Sequence, residues 1–214
     1  MGITIGIASP ARGAFLGQEF TISTASNDQR GPSVAYDSVN QRFLVVWGDY
    51  RSGTSEDIYG QLISATGSLI GTNFSISTAP SAQQRPSMAY DSVNQRFLVA
   101  WEDLRPGTTY DIYGQLIGAD GTLFGTDIPV SIPPQNQQGP SVAYDSVNQR
   151  FLVAWEDDRF WPPDIYGQLI SATGTLIGGD FPISTAPNYQ NAPSVAYDSV
   201  NQRFLVAWED IAAN

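Results

Sequence analysis

Apolar and polar positions alternate in short runs along this chain, and no run has the period of a helix. Ser33-Val-Ala-Tyr36 reads as a short strand. Asp37-Ser-Val-Asn-Gln41 reads as a turn, with the aspartate as its cap and Asn40 suited to a left-handed backbone. Arg42-Phe-Leu-Val-Val-Trp47 is apolar on both faces: Phe43, Val45 and Trp47 on one, Leu44 and Val46 on the other. A strand that hides both faces lies between two packed sheets. Ile58 to Ile63 is a third strand, Ala65-Thr-Gly67 a turn, and Leu69 to Ile76 a fourth and more polar strand.

The same pattern returns three more times. The segment Pro32 to Trp47 recurs at 86–101, 140–155 and 193–208, at offsets of 54, 54 and 53, and only Val46 and Met88 break its identity. A second block, Asp57-Ile-Tyr-Gly-Gln-Leu-Ile, recurs at Asp111 and Asp164. Shifting 57–78 back by 54 lands on 3–24, so that Gly71 to Thr78 overlays Gly17 to Thr24. The chain therefore opens with the second half of a unit and closes with the first half of one.

Four short antiparallel strands per unit describe a propeller blade. The expected fold is all-β, a four-bladed β-propeller in one domain over 1–214. Blades are expected at about 31–78, 85–132 and 139–185, with a last blade made of 192–214 plus 3–24. Pairing the strand that ends at Trp208 with the strand that starts near Ile3 would close the ring and remove two open edges. This predicts a monomer, with a strand-exchanged dimer of eight blades as the alternative.

Pro-Ser-Val-Ala-Tyr-Asp, then Phe-Leu-Val-Ala-Trp-Glu-Asp-x-Arg, then Asp-Ile-Tyr-Gly-Gln-Leu-Ile-Ser resembles the blades of sialidase-like, BNR-type propellers and the repeat modules of large bacterial secreted and surface proteins. The Asp-box of such blades is degenerate here; Ala119-Asp-Gly-Thr122 is its closest echo. The arginines repeat in equivalent places instead of forming one asymmetric cluster, so the catalytic set of that family carries over to no position.

Composition narrows the function. There are no cysteines and no histidines, which removes disulfides, thiolate metal sites and the commonest general base. All ten basic residues are arginines and the net charge is -11, which argues against nucleic acid and anionic membranes as partners. No run is long and apolar enough for a membrane span. The N-terminus lacks a basic n-region, so no signal peptide is visible.

Residues identical in every unit serve what every blade shares. Arg42, Arg96, Arg150 and Arg203 are expected to pair within or between blades. The Asp-Ser-Val-Asn-Gln turns hold too few oxygens for calcium, so no metal or cofactor is expected beyond an ion in the central channel. The acids of Trp101-Glu-Asp-Leu-Arg105 and Trp155-Glu-Asp-Asp-Arg159 could serve glycoside hydrolysis, but repetition should give them like surroundings, whereas that chemistry needs unlike ones.

The unequal loops are Ser52 to Glu56, Pro106 to Tyr110 and Phe160 to Pro163, with the joins Asn27 to Arg30, Ser81 to Arg85, Gln135 to Gln138 and Asn188 to Asn191. In BNR-type blades both sets lie on one face. Arg105, Tyr110, Arg159, Phe160 and Trp161 are the ligand-binding candidates there, suited to stacking a sugar or gripping a peptide. The expected function is a non-enzymatic binding or scaffolding module of a secreted or cell-surface protein, with an unknown protein or glycan as partner. A lectin using these loops and a glycosidase are the alternatives. Near-identical copies also fit recent amplification or engineering with no ligand at all.

Overall fold

In a computed structural model the chain is all-β. The structure describes residues 2–6, 8–9, 14–15, 19–105 and 107–211. Gly17, Gln18, Pro106 and residues 212–214 lie outside that set.

The chain begins with β1 (Thr4–Ile5), β2 (Ala8–Ser9), β3 (Ala14–Phe15) and β4 (Phe20–Thr21). Three four-stranded sheets follow. The first holds β5 (Gln29–Asp37), β6 (Arg42–Asp49), β7 (Asp57–Ser64) and β8 (Leu69–Ser77). The second holds β9 (Gln83–Asp91), β10 (Arg96–Asp103), β11 (Asp111–Gly118) and β12 (Leu123–Ser131). The third holds β13 (Gln137–Asp145), β14 (Arg150–Asp157), β15 (Asp164–Ser171) and β16 (Leu176–Ser184). A hairpin of β17 (Tyr189–Asp198) and β18 (Arg203–Ile211) ends it. Each sheet is antiparallel and in chain order, as a blade requires.

The first strands of successive units, β5, β9, β13 and β17, are spatial neighbours and form the inner layer. Side chains between sheets make the core. Leu44, Val46, Ile58 and Ile76 of the first sheet pack on Met88, Phe97, Val99 and Trp101 of the second. Leu98, Ala100, Ile112 and Val130 pack on Val142, Phe151, Val153 and Trp155 of the third. The strand apolar on both faces is thus the one sandwiched, and Trp47, Trp101 and Trp155 are fully buried.

The turn chemistry differs from expectation in one residue. Asp37 does cap its turn, accepting from the amides of Val39 and Asn40 at 3.0 and 2.8 Å. The left-handed residue is the next one, Gln41, with Gln95, Gln149 and Gln202 at the equivalent sites. Asn40 instead donates its side-chain amide to Asp37 at 2.9 Å. The asparagine is spent on the cap, so the following residue turns the chain.

The described residues do not include a closed last blade. β18 pairs with β17 and β1 pairs with β4, and among the described residues no sheet joins β18 to β1. The N-terminal piece sits on the first sheet, with Ile3 and Ile22 against Val45, Trp47 and Ile63. The C-terminal hairpin sits on the third, with β17 beside β13 and β14. Each half has docked on the neighbour that the repeat gives it. An apolar hollow of about 430 Å³ lies beside Pro32, Val34, Val45 and Ile63. At the other end Leu205 is 70% exposed, although its counterparts Leu44, Leu98 and Leu152 are buried.

Candidate active site at the end of the propeller axis

The unequal loops and the joins share one face, held together by backbone hydrogen bonds. Tyr50 N donates to Asp28 O, Leu104 N to Ala82 O and Asp158 N to Asn136 O, at 2.8, 2.9 and 2.9 Å. The next unit is tied in by Gln83 N to Glu56 O and Gln137 N to Tyr110 O.

Two of the five candidates from the sequence are engaged within their own blades. Arg105 reaches Asp103 and Asp127, both at 2.6 Å, and lies over the Tyr113 ring at 4.0 Å. Arg159 reaches Asp157 and Asp180 and lies over Tyr166 at 4.1 Å. Arg51 repeats the arrangement with Asp49 and Tyr59. In each of the three four-stranded sheets the buried tryptophan donates its indole N–H to the equivalent aspartate, as Trp155 does to Asp157 at 2.8 Å. The Trp-x-Asp-x-Arg spacing is therefore a clamp: one buried carboxylate accepts from an indole, an amide and a guanidinium.

Tyr110, Phe160 and Trp161 are placed differently. Tyr110 is half-buried, and burial raises its hydroxyl, reinforced by the charges of Glu102 and Glu56. Phe160 and Trp161 stand out from the rim at 64% and 80% exposure.

The inner strands bring a group of charged side chains to this same end. Each inner strand has a bulge there, seen as a register shift between Arg30 and Ser33 and at the equivalent places. The bulge needs a left-handed residue, filled by Gly31, Arg85, Gly139 and Ala192. Glycine suits that conformation; an arginine there is strained by on the order of 1 kcal/mol or more. Arg85 uses the position to reach Glu102, at 3.3 Å. Glu102 is fully buried and also accepts from Gln84 Nε2 at 2.8 Å and from the Gly139 amide of the next blade at 2.7 Å.

Glu156 stands one repeat on from Glu102, yet its surroundings are unlike. Its partner is the Tyr189 hydroxyl at 2.8 Å. Burial raises its carboxyl, the Tyr189 hydrogen bond opposes that, and Asp158 and Glu102 add to the rise. The first blade has Gly48 at this position, and a β-carbon there would meet Glu56 Oε1 at 3.4 Å. The carboxyl of Glu56, eight residues further along the chain, has taken the place that Glu102 and Glu156 fill from the strand itself. Burial raises Glu56 as well, countered by Arg30 and then Arg85. Three carboxyl groups, Arg85 and two tyrosines are thus coupled around one end of the axis, and no two of the carboxyls share a set of partners.

Sequence reasoning weighed Glu102 and Glu156 for this chemistry and set them aside because they repeat, and it gave Glu56 no role of its own within the Ser52–Glu56 loop. The signals were present: glycine replaces glutamate only at Gly48, and arginine replaces glycine or alanine only at Arg85.

No family model and no curated protein matches this chain. Solved structures do. An endo-arabinase from Bacteroides thetaiotaomicron superposes with a TM-score of 0.59 at 14% identity, covering 91% of this chain and 76% of its own. A thermostable family-43 glycoside hydrolase gives 0.58 at 13%, covering 86% and 66%. An α-L-arabinofuranosidase from Fusarium graminearum, solved with an iminosugar inhibitor, gives 0.58 at 13%, covering 88% and 63%. The chain spans about two thirds to three quarters of the length of these proteins. At such identity the likeness is one of fold, and it establishes the propeller architecture. These neighbours are arabinases and related glycoside hydrolases, so the sialidase-like subtype is not what they carry. They also overturn the expectation of a module without catalysis: the fold that this chain shares is one that glycosidases use. The assumption behind that expectation, that repeated acids have like surroundings, fails at Glu102 and Glu156.

Proposed function

We propose that this protein is a glycoside hydrolase acting on arabinose- or xylose-containing glycans at the axial carboxyls. The observation that carries this is the unlike environment of Glu102 and Glu156 at one end of the axis. Glycoside hydrolysis uses one carboxyl as an acid toward the leaving oxygen and a second as a carboxylate on the other side of the ring. Glu156, raised by burial, suits the acid. Glu102, with donors from Arg85, Gln84 and Gly139, suits the carboxylate. Arg85 holds that carboxylate, and burial raises the carboxyl of Glu56, which lies beside Gly48 in the first blade.

The test is hydrolysis of aryl α-L-arabinofuranoside, aryl β-xyloside, arabinan and xylan by the intact chain. Glu156→Gln and Glu102→Gln should each lower turnover by about 10²–10⁴. Absence of hydrolysis across the set, or full activity in both variants, would sink the reading.

Two finer readings go with it. The fourth blade is completed when β18 meets β1, because the β5/β9, β9/β13 and β13/β17 contacts supply the same interface three times. An extracellular location suits an enzyme for polymeric glycans. No helix among the described residues is long and apolar enough to cross a membrane.

A further inference from the structure

Phe160-Trp161-Pro162-Pro163 has no counterpart elsewhere in the chain. The equivalent loops carry Ser52-Gly-Thr-Ser-Glu56 and Pro106-Gly-Thr-Thr-Tyr110. Those blades form the same sheet with the same register, so packing does not call for an indole at this site. Trp161 is nonetheless 80% exposed, the most exposed tryptophan of the chain, and Phe160 beside it is 64% exposed. Leaving both rings in water forgoes the gain that burying them would bring. Two successive prolines restrict the backbone behind the ring, so the platform is set before any ligand arrives.

What surrounds the indole points to its ligand. Trp161 meets the Tyr189 ring edge-on, with centroids 6.0 Å apart. The other end of Tyr189 is the hydroxyl that donates to Glu156 at 2.8 Å. A shallow cleft of about 610 Å³ runs between Trp161, Asn188, Tyr189, Asn191 and Ile211. The cleft is lined mostly by apolar and aromatic groups, with Asn188 and Asn191 as its polar members and no cation among its lining residues. Asn188 reaches beyond it to donate to Asp210 Oδ1 at 2.8 Å. An exposed flat ring beside amide and carboxylate hydrogen-bonding groups matches a neutral sugar, which has one C–H face and an edge of hydroxyls. A peptide anchored by acidic groups would meet Asp210 and a chain of net charge -11.

We propose that Trp161, with the Asn188–Asp210 edge, is a saccharide subsite that holds a glycan chain one or more sugar units away from the carboxyl pair, with Tyr189 joining the two. The position of this subsite relative to the bond cleaved rests on the glycosidase reading; its affinity for saccharide does not. For an arabino- or xylo-oligosaccharide, Trp161→Ala should raise KM about tenfold, and for the aryl monosaccharide by far less, with Trp161→Phe recovering most of the loss. Equal effects on both substrates, or none, would overturn the placement. Titration of arabinan and xylan oligosaccharides into the Glu156→Gln variant, followed by tryptophan fluorescence and calorimetry, tests the platform by itself. Binding lost on Trp161→Ala supports it even if hydrolysis is never seen. No binding, or binding indifferent to Trp161, would remove it even if hydrolysis is.

Discussion

Tyr189 donates its hydroxyl to Glu156 Oε1 at 2.8 Å, from the first residue of the C-terminal hairpin to the second strand of the sheet before it. The bond crosses a blade boundary and ties the acid to the rim. It pushes the tyrosine up to about 12, and it lowers the carboxyl against the larger effect of burial. Removing it with Tyr189→Phe should raise Glu156 further. If Glu156 must be protonated to act, activity is lost as pH rises through its pKa, so the alkaline limb of kcat/KM should move to higher pH in this variant. A limb that stays in place would exclude Glu156 as the acid.

Asp111 faces Asp103 across the β10–β11 pair, both buried. Burial, and then the Asp103 charge, push the Asp111 carboxyl up to about 6 from an ordinary 3.8. The folded state therefore holds this proton more tightly than the unfolded one. Its contribution to stability is fully present below about pH 3.8 and is lost as pH rises to about 6. Asp111→Asn should stabilise at pH 7–8 by on the order of 1–3 kcal/mol, with the gain fading toward pH 4. Urea midpoints at pH 4, 6 and 8 check this; a gain independent of pH would contradict it.

The clamp around Asp157 makes a different demand. Arg159→Ala would leave a buried carboxylate with the Trp155 indole and one amide as its remaining donors. Breaking such a pair from one side costs about 3–5 kcal/mol. The urea midpoint should fall accordingly, while oligosaccharide affinity of the folded protein, read from Trp161 fluorescence, should change less than twofold. A large loss of affinity with normal stability would return Arg159 to the ligand.

The strands and the sandwiched Phe-Leu-Val-Ala-Trp run were legible in the sequence because each is a local rule repeated several times. Two things were not. Glu56 covers Gly48 from eight residues away, and a repeat alignment that compares like with like cannot pair positions that substitute for each other in space. Arg85 was visible as a departure from glycine, but its meaning depends on the left-handed bulge that aims it at Glu102. The ring seam was not legible for a further reason. Identical blades fix the contact between neighbours, whereas closure depends on the sum of the angles between them, and near-identity of sequence says nothing of that sum.

Leu205 turns the question of closure into a measurement. Its repeats Leu44, Leu98 and Leu152 are 0%, 0% and 3% exposed, and it is itself 70% exposed. With the hairpin face open to water, Leu205→Ala should change stability by less than about 0.5 kcal/mol. With the fourth blade completed, the same substitution removes a core side chain and should cost about 2–5 kcal/mol, as Leu152→Ala should in either case. Light scattering across a dilution series then assigns the partner half. Closure within one chain leaves the mass at 23.2 kDa and the cost of Leu205→Ala independent of concentration. Exchange between two chains doubles the mass and makes that cost fall away on dilution, as the hairpin face returns to water.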